Sequence, residues 1–297
     1  MKTKQLKKIV TTSLKIGVSA LLFYFVATKI SFSDVFNIIR ESNVGLLVCS
    51  AVFLLISQWV SSIRLNTFFH ALGYFLSHKS NHVLYFIGMF YNFFIPGGIG
   101  GDAYKIFKLN KQFDWKVKKL SAAVFIDRFS GLTAIGMLLV VLCIPFVQSL
   151  GWIKSNVLLY VLGFLLLALI PLISLIFVHK LFPSFKDVFF KTLGLSIIVQ
   201  ILQLISIGCL VVNFDVLSDL LSYLLVFLIS VVLSIVSFAG IGVREFVFYQ
   251  AADLLRYDKD ISVAIGLLFT FITAVISLVG VGFQLKKYTL ETSKNNV

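Results

Sequence analysis

Six charged side chains stand where charge is expensive: Asp102 and Lys105, Asp127 and Arg128, Arg244 and Glu245 lie in or beside strongly apolar stretches. Two of the three pairs follow glycine-rich interruptions. The first is YNFFIPGGIGGDAYK, residues 91–105, in which Pro96 is followed by Gly97, Gly98, Gly100 and Gly101. The second is SFAGIGVREFVFY, residues 237–249, in which Gly240 and Gly242 precede Arg244 and Glu245. An interior glycine costs a helix about 1 kcal/mol against alanine, and a proline about 3 kcal/mol, so both strings predict a break. In lipid a break leaves backbone N–H and C=O groups that must find a neighbour or a polar cavity. Both breaks are therefore expected to line such a cavity. Asp102 is placed to cap a helix that restarts at Ala103, and the second break offers a similar start at Val243. Helix N-termini carry partial positive charge and free N–H donors, which suits an anion. The competing reading is two ordinary helix ends with tight glycine packing.

Asp127 and Arg128 fall about seven residues into an apolar run, roughly 10 Å deep at ~1.5 Å per residue. Intramembrane charges cost at least ~2.5 kcal/mol and generally face a cavity or pair with one another. Neighbouring helical residues point about 100° apart, so these two need not bond each other. Arg128 is expected to face the cavity and grip a phosphate, for which the planar guanidinium fork is suited. Asp127 is expected to hold a base such as Lys105 or Arg244. A purely structural ion pair is the alternative for both charged dipeptides. Gln200 and Gln203 share a helix face and are assigned to interhelical hydrogen bonding, with cavity lining as the other reading. His78 and His82 are assigned to a solvated loop, and neither a metal site nor a cofactor is expected. No Ser–His–Asp grouping and no phosphate-binding loop is visible. The string GIGGDA at 98–103 mimics a dinucleotide fingerprint, but no strand frames it.

The elements that must hold these charges are membrane helices. The chain has 297 residues, of which 59% are hydrophobic and 13% charged, with a mean hydropathy of +1.00. Soluble domains carry about 25% charged residues. The excess of bases, 26 Lys and Arg against 13 Asp and Glu, belongs to cytoplasmic loops rather than to a nucleic-acid surface. The cysteines, Cys49, Cys143 and Cys209, sit in apolar runs and are taken as packing residues. A span needs about 20 mostly apolar residues. Full spans are predicted at 9–28, 44–63, 120–143, 157–178, 192–212 and 261–285. The N-terminal run is expected to be retained, since no small-residue cleavage site follows it.

The segments 83–95 and 243–256 are short for a crossing. Let the N-terminus lie inside and both short segments turn back. Among the bases flanking the spans, only Lys29, Arg40, Lys154, Arg256 and Lys259 then fall outside, as the positive-inside rule asks. The expected fold is all-α: a polytopic helical membrane protein with about six full spans and two broken re-entrant hairpins. Residues 83–109 would enter from the cytoplasm and 220–257 from outside, arranged as an inverted repeat around a midplane site. Both short segments crossing fully, giving eight spans, remains the alternative. A single domain covers 1–297, with 1–8 and 286–297 cytoplasmic.

The strings IPGGIGGDAYKIFKL at 95–109, DRFSGL at 127–132 and FAGIGVREFVF at 238–248, in this order and spacing, resemble the lysylphosphatidylglycerol synthase transmembrane-region family of flippase-like proteins. Where that family's first motif has an arginine, this chain has Lys105, which keeps the charge and loses the bidentate fork. The resemblance implies a bacterial plasma-membrane protein that moves anionic, aminoacylated or polyprenyl-linked lipids between leaflets. On the reading of the residues themselves, Lys105, Arg128 and Arg244 are expected to hold the lipid phosphate, with Asp102, Asp127 and Glu245 positioning them, and Gly97, Gly98, Gly100, Gly101, Gly240 and Gly242 form the breaks that line the site. No soluble aminoacyl-transferase domain follows the membrane part in this sequence, so lipid lysylation is not expected, and because no nucleophile–base pair is visible an enzyme acting on a lipid phosphate is not expected either. The second function considered is a membrane partner that presents lipid to a separate glycosyl- or aminoacyl-transferase.

Overall fold

The computed structural model describes residues 37, 40–94, 99–149, 156–236, 243–286 and 288–293. The predicted first span and the glycines at 97, 98, 240 and 242 lie outside the described residues. Among the described residues there are nine α-helices and no strand, only one isolated bridge. They are α1 (Val44–Ala71), α2 (His78–Phe94), α3 (Gly100–Phe113), α4 (Val117–Ser149), α5 (Asn156–Leu181), α6 (Phe189–Asn213), α7 (Leu220–Val236), α8 (Val243–Leu255) and α9 (Lys259–Leu285).

Six stretches among the described residues are long and apolar enough to cross a membrane: Val44–Ala71, Val117–Val147, Val157–Leu181, Pro183–Asn213, Leu217–Ser234 and Lys259–Leu285. The chain is thus a multi-pass, all-α membrane protein. Five of these match predicted full spans. The sixth, Leu217–Ser234, is the incoming arm of the second predicted hairpin.

The axis of the bundle is α1 against α6, running antiparallel. Asn43 caps α1 by accepting from Gly45 N at 2.9 Å, while its own N–H donates to Asn213 Oδ1 at 2.8 Å. Further along, Ser50 Oγ and Ser206 Oγ lie 2.8 Å apart, and Ser206 Oγ donates to the Ser50 carbonyl at 2.9 Å. Lipid offers no hydrophobic drive for helix association, so small residues that allow close approach and share hydroxyl bonds supply it. Cys49 and Cys209 stand in the same seam as free thiols, with their sulfurs 3.5 Å apart. α5 behaves differently. Phe164, Val157 and Ile173 are exposed, and its apolar surface is matched to acyl chains.

The two interrupted regions attach to opposite ends of this axis. α2 and α3 form an antiparallel helical hairpin whose backbones touch, because a Cβ on Gly101 would run into the carbonyl of Gly88. α2 is pressed from its other side by α9, where a Cβ on Gly280 would meet the Phe86 carbonyl. The hairpin opens at the end of the bundle where α1 finishes. α7 and α8 likewise fold back on each other, with Tyr223 tilted against Tyr257 at 5.4 Å and stacked near Phe248 at 6.4 Å. They open at the other end, where α6 finishes.

Residues 288–293, expected as part of a trailing tail, are pinned. Ser77 N donates to the Glu291 carbonyl at 3.0 Å and Ser293 N to the Phe75 carbonyl at 2.8 Å. Glu291 N donates to Ser80 Oγ at 2.7 Å, and Gln112 Nε2 to the Leu290 carbonyl at 2.6 Å. Leu290 is buried. The start of α2, the end of α3 and this segment therefore share one end of the molecule.

Candidate functional site

Asp102 is the third residue of α3 rather than its cap. The helix begins at Gly100 after Ile99, whose side chain makes no capping bond. The capping acceptor comes instead from α2: Asn92 Oδ1 accepts from Gly101 N at 2.8 Å. One amide donor expected to be open for an anion is thus occupied, and an acid sits in the same turn. Gly101 serves helix packing, as the Gly88 contact requires.

Asp102 is mostly buried and gathers two bases. Lys105 Nζ donates to its Oδ1 at 3.1 Å, and Arg128 Nε on α4 donates to its Oδ2 at 2.5 Å. Asn92 Nδ2 approaches Oδ1 at 3.4 Å. The Lys105 ammonium also lies 4.6 Å from the Tyr85 ring centroid, a cation–π arrangement. The side chain of Arg128 keeps 39% of its surface exposed while that of Lys105 keeps 6%. Of the two, Arg128 is the base a ligand can reach.

Asp127 holds neither Lys105 nor Arg244. Its partner is Arg64 of α1, through two parallel bonds, Nε to Oδ1 at 2.8 Å and Nη2 to Oδ2 at 3.1 Å. The third guanidinium nitrogen, Nη1, donates to Ser196 Oγ at 2.8 Å, and Ser130 Oγ lies 2.8 Å from the same hydroxyl. Arg64 had been placed just past the end of a span, on the cytoplasmic side. α1 continues to Ala71, which puts Arg64 inside the bundle and buried. Adjacent helical positions diverge by about 100°, so Asp127 faces α1 while Arg128 faces α3.

Between α1, α4 and α6 lies a cavity of about 520 Å³, within the range of small-ligand sites. Its polar wall includes Ser61, Arg64, Tyr85 and Arg128, with the amides of Gln58, Gln200 and Gln203. Its apolar wall includes Phe125, Phe129, Leu132 and Val231. Phe125 and Leu132 are themselves exposed. Gln200 is buried, and its Oε1 has no hydrogen-bond partner among the described residues. The two glutamines, assigned first to interhelical bonding, both line this cavity.

Arg244 and Glu245 form a second cluster on α8, and neither is among the described residues lining the cavity. Arg244 Nη1 donates to Thr270 Oγ1 at 2.9 Å, and Thr270 Oγ1 donates to Glu245 Oε1 at 2.6 Å. The guanidinium carbon lies 4.7 Å from the Phe269 ring and 5.9 Å from Phe227. The expected site residues therefore divide. Asp102, Lys105, Asp127 and Arg128 belong together, and Arg64, Gln58, Ser61, Tyr85 and Ser196 join them unforeseen. Gly97, Gly98, Gly240 and Gly242 lie outside the described residues. His78 and His82 lie in α2 rather than in a loop, and His82 Nε2 accepts from Trp59 Nε1 at 2.8 Å. Among the described residues no group of three or more His, Cys, Asp or Glu is arranged to hold a metal.

A family model described as the lysylphosphatidylglycerol synthase TM region matches residues 12–280. No curated protein matches the chain.

Proposed function

Starting from a chain that belongs to the lysylphosphatidylglycerol synthase transmembrane-region family, a membrane domain with lipid-related function, we propose that it carries a phospholipid or polyprenyl-phosphate lipid between the leaflets of a bacterial plasma membrane. The supporting observation is the cavity between α1, α4 and α6. It sets a partly exposed arginine and three amides against aromatic and aliphatic side chains. A headgroup would occupy the polar wall with its phosphate on Arg128, while the acyl or prenyl tail stays along α4 beside Phe125 and Leu132. α2–α3 and α7–α8 would be re-entrant hairpins entering from opposite faces, with both chain termini cytoplasmic. The protein would act as a carrier and not as an enzyme, and movement would run downhill or be coupled to an ion gradient.

The test is lipid exchange in proteoliposomes. Vesicles containing acyl-labelled phosphatidylglycerol would be treated with a membrane-impermeant quencher. Wild-type protein should make the inner-leaflet label accessible well above the protein-free rate, and Arg128→Ala should return it to that rate. A wild-type rate equal to that of empty vesicles would reject transport and leave lipid presentation to a separate transferase, which copurification would then have to support.

A further inference from the structure

The pinned segment 288–293 helps to wall a second cavity, of about 270 Å³, whose other walls come from α2, α3 and α9. It shares no lining residue with the cavity between α1, α4 and α6. We propose that this second cavity binds the phosphate of a lipid headgroup or of a free phosphate ester, and that the bound phosphate fastens the segment across the open end of the α2–α3 hairpin. Such a site regulates the hairpin whether or not the protein carries lipid. Its polar wall begins on α3, where Tyr104, Lys108 and Gln112 recur every fourth residue and form one stripe. That stripe lies next to the face that buries Asp102 and Lys105. The wall is completed by Gln284 of α9 and by Tyr288 and Thr289 of the segment.

Lys108 is the one charged residue among the described residues lining this cavity, and it is half-buried. It takes part in no ion pair among the described residues, and neither does Glu291, the acid of the segment, which is exposed. A partly desolvated ammonium is matched by an anion. The hydroxyls of Tyr104, Tyr288 and Thr289 line the same cavity, with the amides of Gln112 and Gln284. Each amide donates one bond, Gln112 to the Leu290 carbonyl at 2.6 Å and Gln284 to Tyr91 Oη at 2.6 Å, and each keeps a second N–H. One cation among several neutral donors suits a tetrahedral anion with three or four acceptor oxygens better than a carboxylate with two. The volume falls just under the roughly 300 Å³ at which small-ligand sites begin, so the cavity takes a headgroup or a small ester and not a whole lipid. The coupling follows from the lining. Lys108 and Gln112 belong to α3, and Tyr288 and Thr289 to the segment, so a phosphate held between them binds only when the segment is seated. A ligand that binds the seated form alone stabilises it by mass action.

The experiment is hydrogen exchange at the amides that hold the segment. Ser77 N, Glu291 N and Ser293 N are all bonded across it, and they exchange when it opens. Purified full-length protein in a maltoside detergent would be titrated with glycerol 1-phosphate, with phosphatidylglycerol, with diacylglycerol, which has the chains without the phosphate, and with chloride at the same ionic strength. At ten times its dissociation constant, a ligand of the seated form should slow exchange at these amides about tenfold. Protection by glycerol 1-phosphate assigns a free ester as a sufficient occupant, and protection by phosphatidylglycerol alone assigns a membrane headgroup; either supports the site. Lys108→Gln should erase the protection and leave ligand-free exchange within about twofold of wild type. Lys180→Gln, which removes an exposed base of α5, should change neither. Should Lys108→Gln fail to fold, Thr289→Val removes a donor from the exposed part of the segment and should weaken binding about tenfold, the scale of one hydrogen bond to a charged group. No protection by either phosphate, equal protection by diacylglycerol or chloride, or undiminished protection in Lys108→Gln would overturn the proposal. Lipid exchange in vesicles, present or absent, bears on transport alone.

Discussion

The two helices that follow the glycine breaks start alike and end up in different roles. In each, the third residue is an acid, Asp102 in α3 and Glu245 in α8. Each acid is bonded to a residue of the next helix, Arg128 at a separation of 26 and Thr270 at a separation of 25. In the first case the partner is a cation whose side chain keeps 39% of its surface exposed and which lines the cavity. In the second the partner is a neutral hydroxyl that relays to Arg244, whose guanidinium is covered by Phe269. One short device thus yields an open, charged wall in one half and a closed, aromatic-capped lock in the other. Similar local strings set the backbone and the acid; the residue one helix away decides whether a ligand can reach them.

The sharpest way to break that comparison is to remove the charges one at a time. The largest stability loss is expected for Asp127→Ala, which strands the Arg64 guanidinium in the bundle. Breaking a buried pair costs about 3–5 kcal/mol, readable as a lowered thermal unfolding midpoint in detergent. Arg128→Gln should instead leave the midpoint close to wild type and cut lipid exchange by at least about tenfold, a loss on the scale of 1.4 kcal/mol or more. Arg244→Gln should do the reverse, costing about 1–3 kcal/mol of stability with exchange per folded molecule changed less than about twofold. An Arg244→Gln protein of normal stability and no exchange would show that both halves hold ligand.

Glycine packing separates the halves again. Gly101→Ala pushes a methyl group into the Gly88 carbonyl, and overpacking of this kind costs about 1–3 kcal/mol or more when only backbone can give way. At Gly266, beneath α8, the nearest atoms to an added Cβ are 3.6 Å away or further, so Gly266→Ala should fall within about 0.5 kcal/mol of wild type. Equal effects would mean that the α2–α3 contact is no tighter than the α8–α9 one.

How much of this could be read from the residues alone differs between the two levels of structure. The apolar runs gave the helices, because length and hydropathy alone decide what can cross lipid. The cost of unpaired charge in lipid marked Asp102, Lys105, Asp127 and Arg128 as residues that must meet something. Which partner each would meet was not legible. Asp127 was matched with Lys105 or Arg244, and the predicted span 44–63 stopped just short of Arg64, since pairing depends on which faces of α1 and α4 are opposed. One signal was present: Ser50, Ser57, Ser61 and Arg64 recur at spacings that keep one stripe of α1, and that stripe is the one facing α6 and the cavity. Gln200 was similarly ambiguous, because an amide on a membrane helix bonds a neighbour or lines a hole with the same sequence pattern. The cap of α3 was missed for a related reason. Asn92 sits before the break and reaches across it, whereas local rules look for the cap immediately ahead of the helix.

The smallest effect concerns the axis between the two halves, and it tells which parts move. With sulfurs 3.5 Å apart, Cys49 and Cys209 should be joined by mild oxidation with a copper–phenanthroline catalyst, rotating only their side chains. Loss of both free thiols by maleimide counting, together with a cross-linked peptide containing both cysteines, would establish the bond. The bond should barely change stability, since α1 and α6 are already held by Ser50, Ser206, Asn43 and Asn213. Its value lies in the exchange assay. If the hairpins α2–α3 and α7–α8 move against a fixed α1–α6 pair, cross-linked protein should exchange lipid at close to the wild-type rate, and reduction should add nothing. A rate that collapses on oxidation and recovers on reduction would place the motion in the axis itself. The contrast between an open half and a locked half would then describe one state of a cycle in which they trade roles.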